Sequence, residues 1–435
     1  MKKPAAAPQF VPIRWRIFSF LFGFGLLAYV QQKTITVAAE QMMPALHLTQ
    51  LQIGWLEDAF VWGYALFQLP GGLFGQRIGA RRTFVIIGLT AFLATIAMPL
   101  APNFFTGPTL FAALFGAQLL LGVAQGAIFP VSAGVFEAWF PPRRWSYVQG
   151  LQTMGLQLGA ALTPPLIVNL TMHLGWQRAL LWASLPALGL IALWAWYARN
   201  TPREHPSVDA QELLEIGNQP QVHASISMRQ VLRLIGNRNV LLLFVAYMSM
   251  NYTFYLLSNW VFLYLVQERH FSALESSGLA SAPPLAAAVG AGLGGLVTAL
   301  LAQRFGNRWG YRMVPLVALP AAAVLLMFAV NAANPYLAVA SLAACFGSVE
   351  LTEGAFWGAA MTIGRGDTMA VCGVMNTGGN LGGIIALPIV GYFADQHAWH
   401  TAFVIGAGFA LISAAGWLAI QIAPPAEASQ SPSGR

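Results

Sequence analysis

Two carboxylates, Glu350 and Glu353, stand three residues apart in an otherwise apolar stretch. Residues at that spacing share one face of a helix. Ionisable groups withdrawn into a membrane are rare and costly, and a pair of acids there suits reversible protonation. Their other use is structural, as bonds to a helix backbone or to a neighbouring helix. Lys33 is the one basic residue that lies away from the edges of an apolar run. It either attracts a carboxylate or reaches outward until its ammonium meets water. Glu57 and Asp58 read as acids at a helix start, where the helix dipole favours them. Glu137 ends an apolar run shortly before Arg143 and Arg144, a spacing suited to a gating ion pair. Gln31, Gln32, Gln118, Gln125, Gln157, Asn251 and Asn259 add amides among apolar neighbours. They serve a solute's hydroxyls or bonds between helices.

Other chemistries find no support. Cys345 and Cys372 both fall inside apolar segments, and His397 with His400 makes no metal set. Gly23-Phe24-Gly25 has no strand before it and is no nucleotide loop. No nucleophile–base arrangement stands out, so neither an enzyme nor a cofactor or metal is expected.

The elements that position these groups follow from composition. Hydrophobic residues make up 57% of the 435 and charged residues only 9%; a soluble domain carries roughly 25% charged residues. Each spanning helix needs about 20 mostly apolar residues. Such runs fall at 15–38, 54–76, 83–101, 109–138, 146–171, 177–198, 239–266, 278–303, 311–331, 335–362, 368–394 and 399–421. The first resembles a signal peptide, with Val37-Ala38-Ala39 as a cleavage site, but it is too long and too many runs follow. With the N-terminus in the cytoplasm, twelve spans put 19 of the 22 basic residues on the cytoplasmic side. They are Lys2, Lys3, Arg14, Arg16, Arg77, Arg81, Arg82, Arg143, Arg144, Arg199, Arg203, Arg229, Arg233, Arg238, Arg304, Arg308, Arg312, Arg365 and Arg435. Arg178 and Arg269 stay outside. This bias supports an inner-membrane protein with both termini cytoplasmic. It also explains the net charge of +7 without nucleic acid.

The polar stretch 199–237 divides the spans six and six, giving segments 1–198, 199–237 and 238–435. Asp209 with Glu212 resembles a capping pair, and Ser227 to Ile235 an amphipathic helix on the inner membrane face. Gly75-Gln76-Arg77-Ile78-Gly79-Ala80-Arg81 is echoed 227 residues later by Ala302-Gln303-Arg304-Phe305-Gly306-Asn307-Arg308. Gln157-Leu158-Gly159 is echoed more weakly by Asn380-Leu381-Gly382. Internal repeats of this kind belong to transporters whose halves rock about a central site. Glycines four apart, at 122/126, 155/159, 290/294 and 378/382, predict close helix approach.

Gly72-Leu73-Phe74-Gly75-Gln76-Arg77-Ile78-Gly79-Ala80-Arg81-Arg82 resembles the loop signature of the major facilitator superfamily. More narrowly, the chain resembles the anion:cation symporter family, whose members carry hexuronates, galactonate and glucarate. Gly63-Tyr64 through Gln68-Leu69-Pro70-Gly71-Gly72, Trp139-Phe140-Pro141, and Thr201 to Pro206 with Glu212-Leu213 carry that likeness. So do Glu353-Gly354-Ala355-Phe356-Trp357 and Met375 through Gly383. The resemblance implies an all-α membrane fold of two pseudo-symmetric six-helix bundles and a cavity at Tyr29, Tyr64, Trp357 and Asn376. It gives Gly72, Gln76, Arg77, Gly79 and Arg81 to the gating loop. The sequence departs from the family where Tyr-Val-Asp-Arg is usual and Tyr29-Val30-Gln31-Gln32 stands. It departs again where some members carry Arg and Glu and Gln118 and Gln125 stand, and where the loop's usual Asp is Gln76.

Two readings stay open. In one, a small organic anion enters with a proton, Lys33 attracting its carboxylate and Glu353, with Glu350, carrying the proton. In the other, a neutral polyhydroxylated solute is carried without a proton, against a lining that includes Gln32 and Gln125. A receptor that transports nothing is a third, lacking any appended signalling domain. The expected partners are a small-molecule substrate, a proton and the lipid bilayer; the expected state is a monomer.

Overall fold

A backbone in lipid must satisfy its own hydrogen bonds, and helices do so within one segment. The computed structural model describes residues 11–217, 228–272 and 278–422, and all its regular structure is helical. Twelve spans cross in order. They are α1 (Ile13–Leu46), α2 (Gln50–Ile78), α3 (Ala80–Leu100), α4 in two pieces (Gly107–Gly126 and Ile128–Trp139), α5 (Trp145–Leu174) and α6 (Trp176–Tyr197). Then come α7 (Arg238–Gln267), α8 (282–305), α9 (307–331), α10 in two pieces (Pro335–Glu350 and Glu353–Gly364), α11 (Thr368–Asp395) and α12 (Trp399–Ala419).

By length and hydropathy alone, nine stretches among the described residues pass as spans. One of them, Ala282–Asn331, holds both α8 and α9, because Gly306 leaves helical geometry at φ 75°. The other two spans, α2 and α5, are too polar to pass, and the reason is positional. Each packs its polar face on the opposite bundle, α2 against α11 and α5 against α8, and leaves apolar residues such as Leu66 and Leu162 exposed on another face. Their amides Gln68, Gln149, Gln152 and Gln157 are almost wholly buried there.

Boundaries follow local chemistry. α1 runs to Leu46, well past 38, because it continues beyond its apolar part through the exposed Glu40 and stops at His47 in left-handed geometry. α2 starts at Gln50, not 54: Thr49 accepts from the Gln52 N–H at 3.2 Å and Gln52 answers at 2.9 Å, a closed capping box. Glu57 and Asp58 therefore lie two turns into α2 and not at its start. The turn from α2 to α3 pivots on Gly79 (φ 87°) and that from α8 to α9 on Gly306, so the sequence echo is also an echo of geometry.

The bundles repeat one packing scheme. α1 lies on α5, α2 on α4 and α3 on α6; α7 lies on α11, α8 on α10 and α9 on α12. The paired glycines sit at the first two contacts of each bundle. A Cβ at Gly159 would stand 2.5 Å from the Leu26 carbonyl oxygen of α1, and one at Gly378 2.7 Å from that of Phe244 on α7. Gly382 faces the Met248 carbonyl still more tightly.

The central segment is strapped to the first bundle. Glu212 accepts from the Ile13 and Arg14 N–H groups at 3.1 and 2.9 Å, capping the start of α1. Asp209 accepts from the Glu212 N–H at 2.7 Å. Arg14 pairs with Glu215 and holds that carboxyl below the usual carboxylate range. The contact therefore contributes at neutral pH and fades as pH falls through the lowered value. His205 packs edge-on to Tyr197 and Trp139, at centroid distances of 4.8 and 6.0 Å. The helix Met228–Ile235 buries Val231 and exposes Arg229, Leu232 and Arg233. Lys2, Lys3, Ser227 and Arg435, with both termini, lie outside the described residues.

A side chain at Gly382 should drive α11 off α7. Gly382→Val is expected to cost about 1–3 kcal/mol, read as a lower melting temperature in detergent. Gly408→Val, with nothing within 4 Å of the added Cβ, should melt like the parent; equal melting of both variants would count against glycine-set packing. Glu212→Ala should free the strap, with trypsin cutting after Arg203 about tenfold faster, the equivalent of ~1.4 kcal/mol.

Candidate functional site

Helix interruptions mark the centre of the molecule. α4 breaks at Ala127 and α10 at Leu351–Thr352, each between its two helical pieces. Gln125 stands beside the first break, and Glu350 and Glu353 flank the second. Between them lies a cavity of about 780 Å³, a volume that includes its open mouth. Tyr29, Gln32, Tyr64, Gln125, Gln157, Glu350, Glu353, Trp357 and Asn376 all line it. So do Tyr247, Asn251, Tyr255 and Asn380.

The polar lining is partly self-satisfied. Gln125 Nε2 donates to the Ala28 carbonyl at 3.2 Å and to Gln31 Oε1 at 3.1 Å. Asn376 Nδ2 donates to Gln68 Oε1 at 2.8 Å, joining α11 to α2 across the bundle boundary. The Tyr64 hydroxyl sits beside both amides. Glu353, 5% exposed, accepts from the Tyr247 hydroxyl at 3.1 and 3.2 Å and from Trp357 Nε1 at 2.7 Å. Glu350 is 1% exposed and differs. Gln157 faces it from α5, yet its Oε2 has no hydrogen-bond partner among the described residues.

The hydrogen bonds that join the bundles run from Gln68–Asn376 at mid-depth to the arginine-rich face. There Glu137, buried, accepts from the Gly366 N–H at 2.9 Å. Gln76 donates to the Gly366 carbonyl and to Asp367, both at 3.2 Å. Gly72 lies against the Met369 carbonyl, and a Cβ at Gly295 would stand 2.5 Å from that of Ser146. In the other direction the lining faces become exposed. On α1 the series Gln32, Thr36, Glu40 passes from half-buried to exposed, and on α7 Asn251, Tyr255, Asn259 passes from buried through half-buried to exposed. The cavity therefore opens away from the arginine-rich face.

Several sequence expectations meet a different geometry. Glu137 does not pair with Arg143 or Arg144. Those arginines follow the end of α4, whereas the Glu137 side chain turns inward to the other bundle's Gly366. Lys33 does not line the cavity; its electrostatic partner is Glu57 on α2. Gln118 is buried off the cavity. Arg77 is exposed, while Arg81 donates from Nε to the Ala195 carbonyl at 3.1 Å and so ties α3 to α6. Sequence reading missed Gln68, Tyr247, Tyr255 and Asn380 as site groups. Tyr247, Asn251 and Tyr255 recur every four residues, a helical polar stripe that could have found two of them.

Comparisons with known proteins agree with this architecture. The "Probable sulfoacetate transporter SauU" of Cupriavidus necator is 26% identical over 394 residues, covering 89% of each chain. The "Probable galactarate/D-glucarate transporter GudP" of Escherichia coli K12 is 24% identical over 423 residues, 94% of this chain and 93% of that one. Among solved structures, the transporter FucP in the outward conformation superposes with a TM-score of 0.72 at 14% identity, covering 93% of this chain and 98% of that one. That last likeness concerns the fold alone. The family profile described as Major Facilitator Superfamily matches residues 21–365. A match over so much of the length settles the question: the chain belongs to the Major Facilitator Superfamily.

Proposed function

We propose that this transporter carries a small polyhydroxylated solute, one that brings no net negative charge, across the inner membrane by alternating access. The arginine-rich face is cytoplasmic in this reading, as the positive-inside rule requires, and the cavity faces outward for uptake. One observation carries it. Among the described residues the cavity lining holds two carboxyls and no Lys, Arg or His. A bound carboxylate would meet like charge with no cation to offset it. Hydroxyl groups, by contrast, find amides and phenols that both donate and accept.

Proton coupling in this reading falls to Glu353. The titratable groups around it are Glu350 on its own helix, Tyr29 on α1, Tyr64 on α2 and Tyr247 on α7. No fixed positive charge locks it, so a proton can serve as its counter-charge and leave with the solute. A second reading, entry of a small organic acid with a proton, draws on the relatives, whose names include galactarate/D-glucarate, D-galactonate and hexuronate transporters. It requires Lys33 to turn from Glu57 toward the cavity.

Uptake into proteoliposomes decides between the two readings. Sorbitol, a neutral polyol, should accumulate when the outside is made acidic and should outcompete gluconate. Glu353→Gln should abolish that accumulation by about 100-fold while leaving solute counterflow intact. Gradient-driven uptake that survives Glu353→Gln would remove the proton role. Gluconate uptake that needs Lys33 would favour the acid reading.

A further inference from the structure

The two carboxyls of α10 are not equivalent, and the difference bears on the solute. Glu353 already receives donors from Tyr247 and Trp357. Glu350 has a different setting. It is the last residue of the first piece of α10, beside an interruption in which Leu351 and Thr352 keep right-handed helical backbone angles. It is 1% exposed, lines the cavity, and its Oε2 is unpartnered among the described residues. A buried carboxylate with a second carboxyl three residues on and no Lys, Arg or His in the cavity lining lacks a counter-charge. Tyr29 from α1 and Tyr247 from α7 interact with it electrostatically, and Phe254 and Tyr255 from α7 line the same cavity. Aromatic faces attract cations and suit ammonium groups.

Resting on the transport reading above, we infer that the solute carries a positively charged nitrogen, which pairs with Glu350 at the broken end of α10 within this aromatic wall. The solute is thus an amino polyol or similar hydroxylated organic cation. The two acids divide the work, Glu350 holding the solute's charge and Glu353 the proton.

Three six-carbon probes on one open-chain frame test this: N-methylglucamine (cationic), sorbitol (neutral) and gluconate (anionic). Calorimetry on the purified full chain at neutral pH should rank them in that order, N-methylglucamine binding on the order of tenfold tighter than sorbitol. Glu350→Gln should remove the preference, and Glu353→Gln should keep it. If Glu350→Gln does not fold, Glu350→Asp keeps the charge and should preserve the order at weaker affinity. Equal or tighter binding of sorbitol or gluconate, binding of none of the three, or a preference that survives Glu350→Gln overturns the inference. Gradient-driven sorbitol uptake with no cation preference would overturn it while leaving the transport reading standing. Failure of all flux alongside tight N-methylglucamine binding would do the reverse.

Discussion

Lipid offers a backbone no hydrogen-bond partners, and this constraint arranges the rest of the molecule. Every span must be a helix over its whole lipid-facing length. A helix is then free to break only where protein or water takes over the satisfaction of its carbonyls and N–H groups. Here α4 and α10 break at mid-depth, and both breaks sit on the same cavity. The polar groups worth having in a membrane collect there for the same reason. At the second break, Thr352 returns its hydroxyl to the Val349 carbonyl at 2.7 Å, covering part of what the helix gives up.

The same constraint explains why the two least apolar spans lie between the bundles. A helix with two or three buried glutamines, as α2 and α5 have, is expensive in lipid and tolerable against another helix. Between the bundles, glycines permit close backbone contact: Gly150 on α5 lies against Ala291 and Gly295 on α8. Packing of that kind is set by shape, with few bonds to break. On the arginine-rich face the directional links are few: Glu137 and Gln76 with the loop at Gly366 and Asp367. Within each bundle the glycine contacts are backed by long helices along their whole length. Two firm bodies with a sparse hydrogen-bonded seal on one face are what rigid-body rocking needs.

Much of this was legible in the residues. Apart from the end of α1, which runs to Leu46 and not 38, the apolar runs located the spans to within a few residues, because lipid leaves little freedom in where such a helix stops. The 227-residue echo anticipated the matching turns at Gly79 and Gly306, since both needed a residue that tolerates positive φ. Lys33 was the instructive miss. Its type and its place in an apolar run suggested a ligand, but one residue along a helix is about 100° of rotation, and Gln32 takes the cavity position instead. Glu137 was misassigned for a related reason. Chain proximity to Arg143 and Arg144 suggested a pair, whereas the fold brings a backbone N–H from the opposite bundle, which no local pattern announces. Glu350 and Glu353 were visible as a pair, but the donors from Tyr247 and Trp357 that make them unequal were not.

What separates this chain from the pattern it otherwise resembles is the replacement of charges by amides around the cavity. A charged lining must hold ion pairs or bound ions whenever the solute is absent, because an empty cavity still leaves each charge poorly solvated. Amides lower that cost: each carries donors and acceptors, so the Gln31 oxygen accepts from Gln125 and the Gln68 oxygen from Asn376, while the Gln31 and Gln68 Nε2 groups stay unpartnered among the described residues. With the proposed hydroxylated solute, such pairs exchange partners at little net cost, since one hydrogen bond replaces another. The Asn376–Gln68 bond crosses between α11 and α2 and only Asn376 of the two lines the cavity, so in the proposed cycle a solute that takes Asn376 also loosens a contact between the bundles. In that proposed cycle, binding and rocking are thereby linked through one neutral hydrogen bond, and charge is left to the two acids of α10.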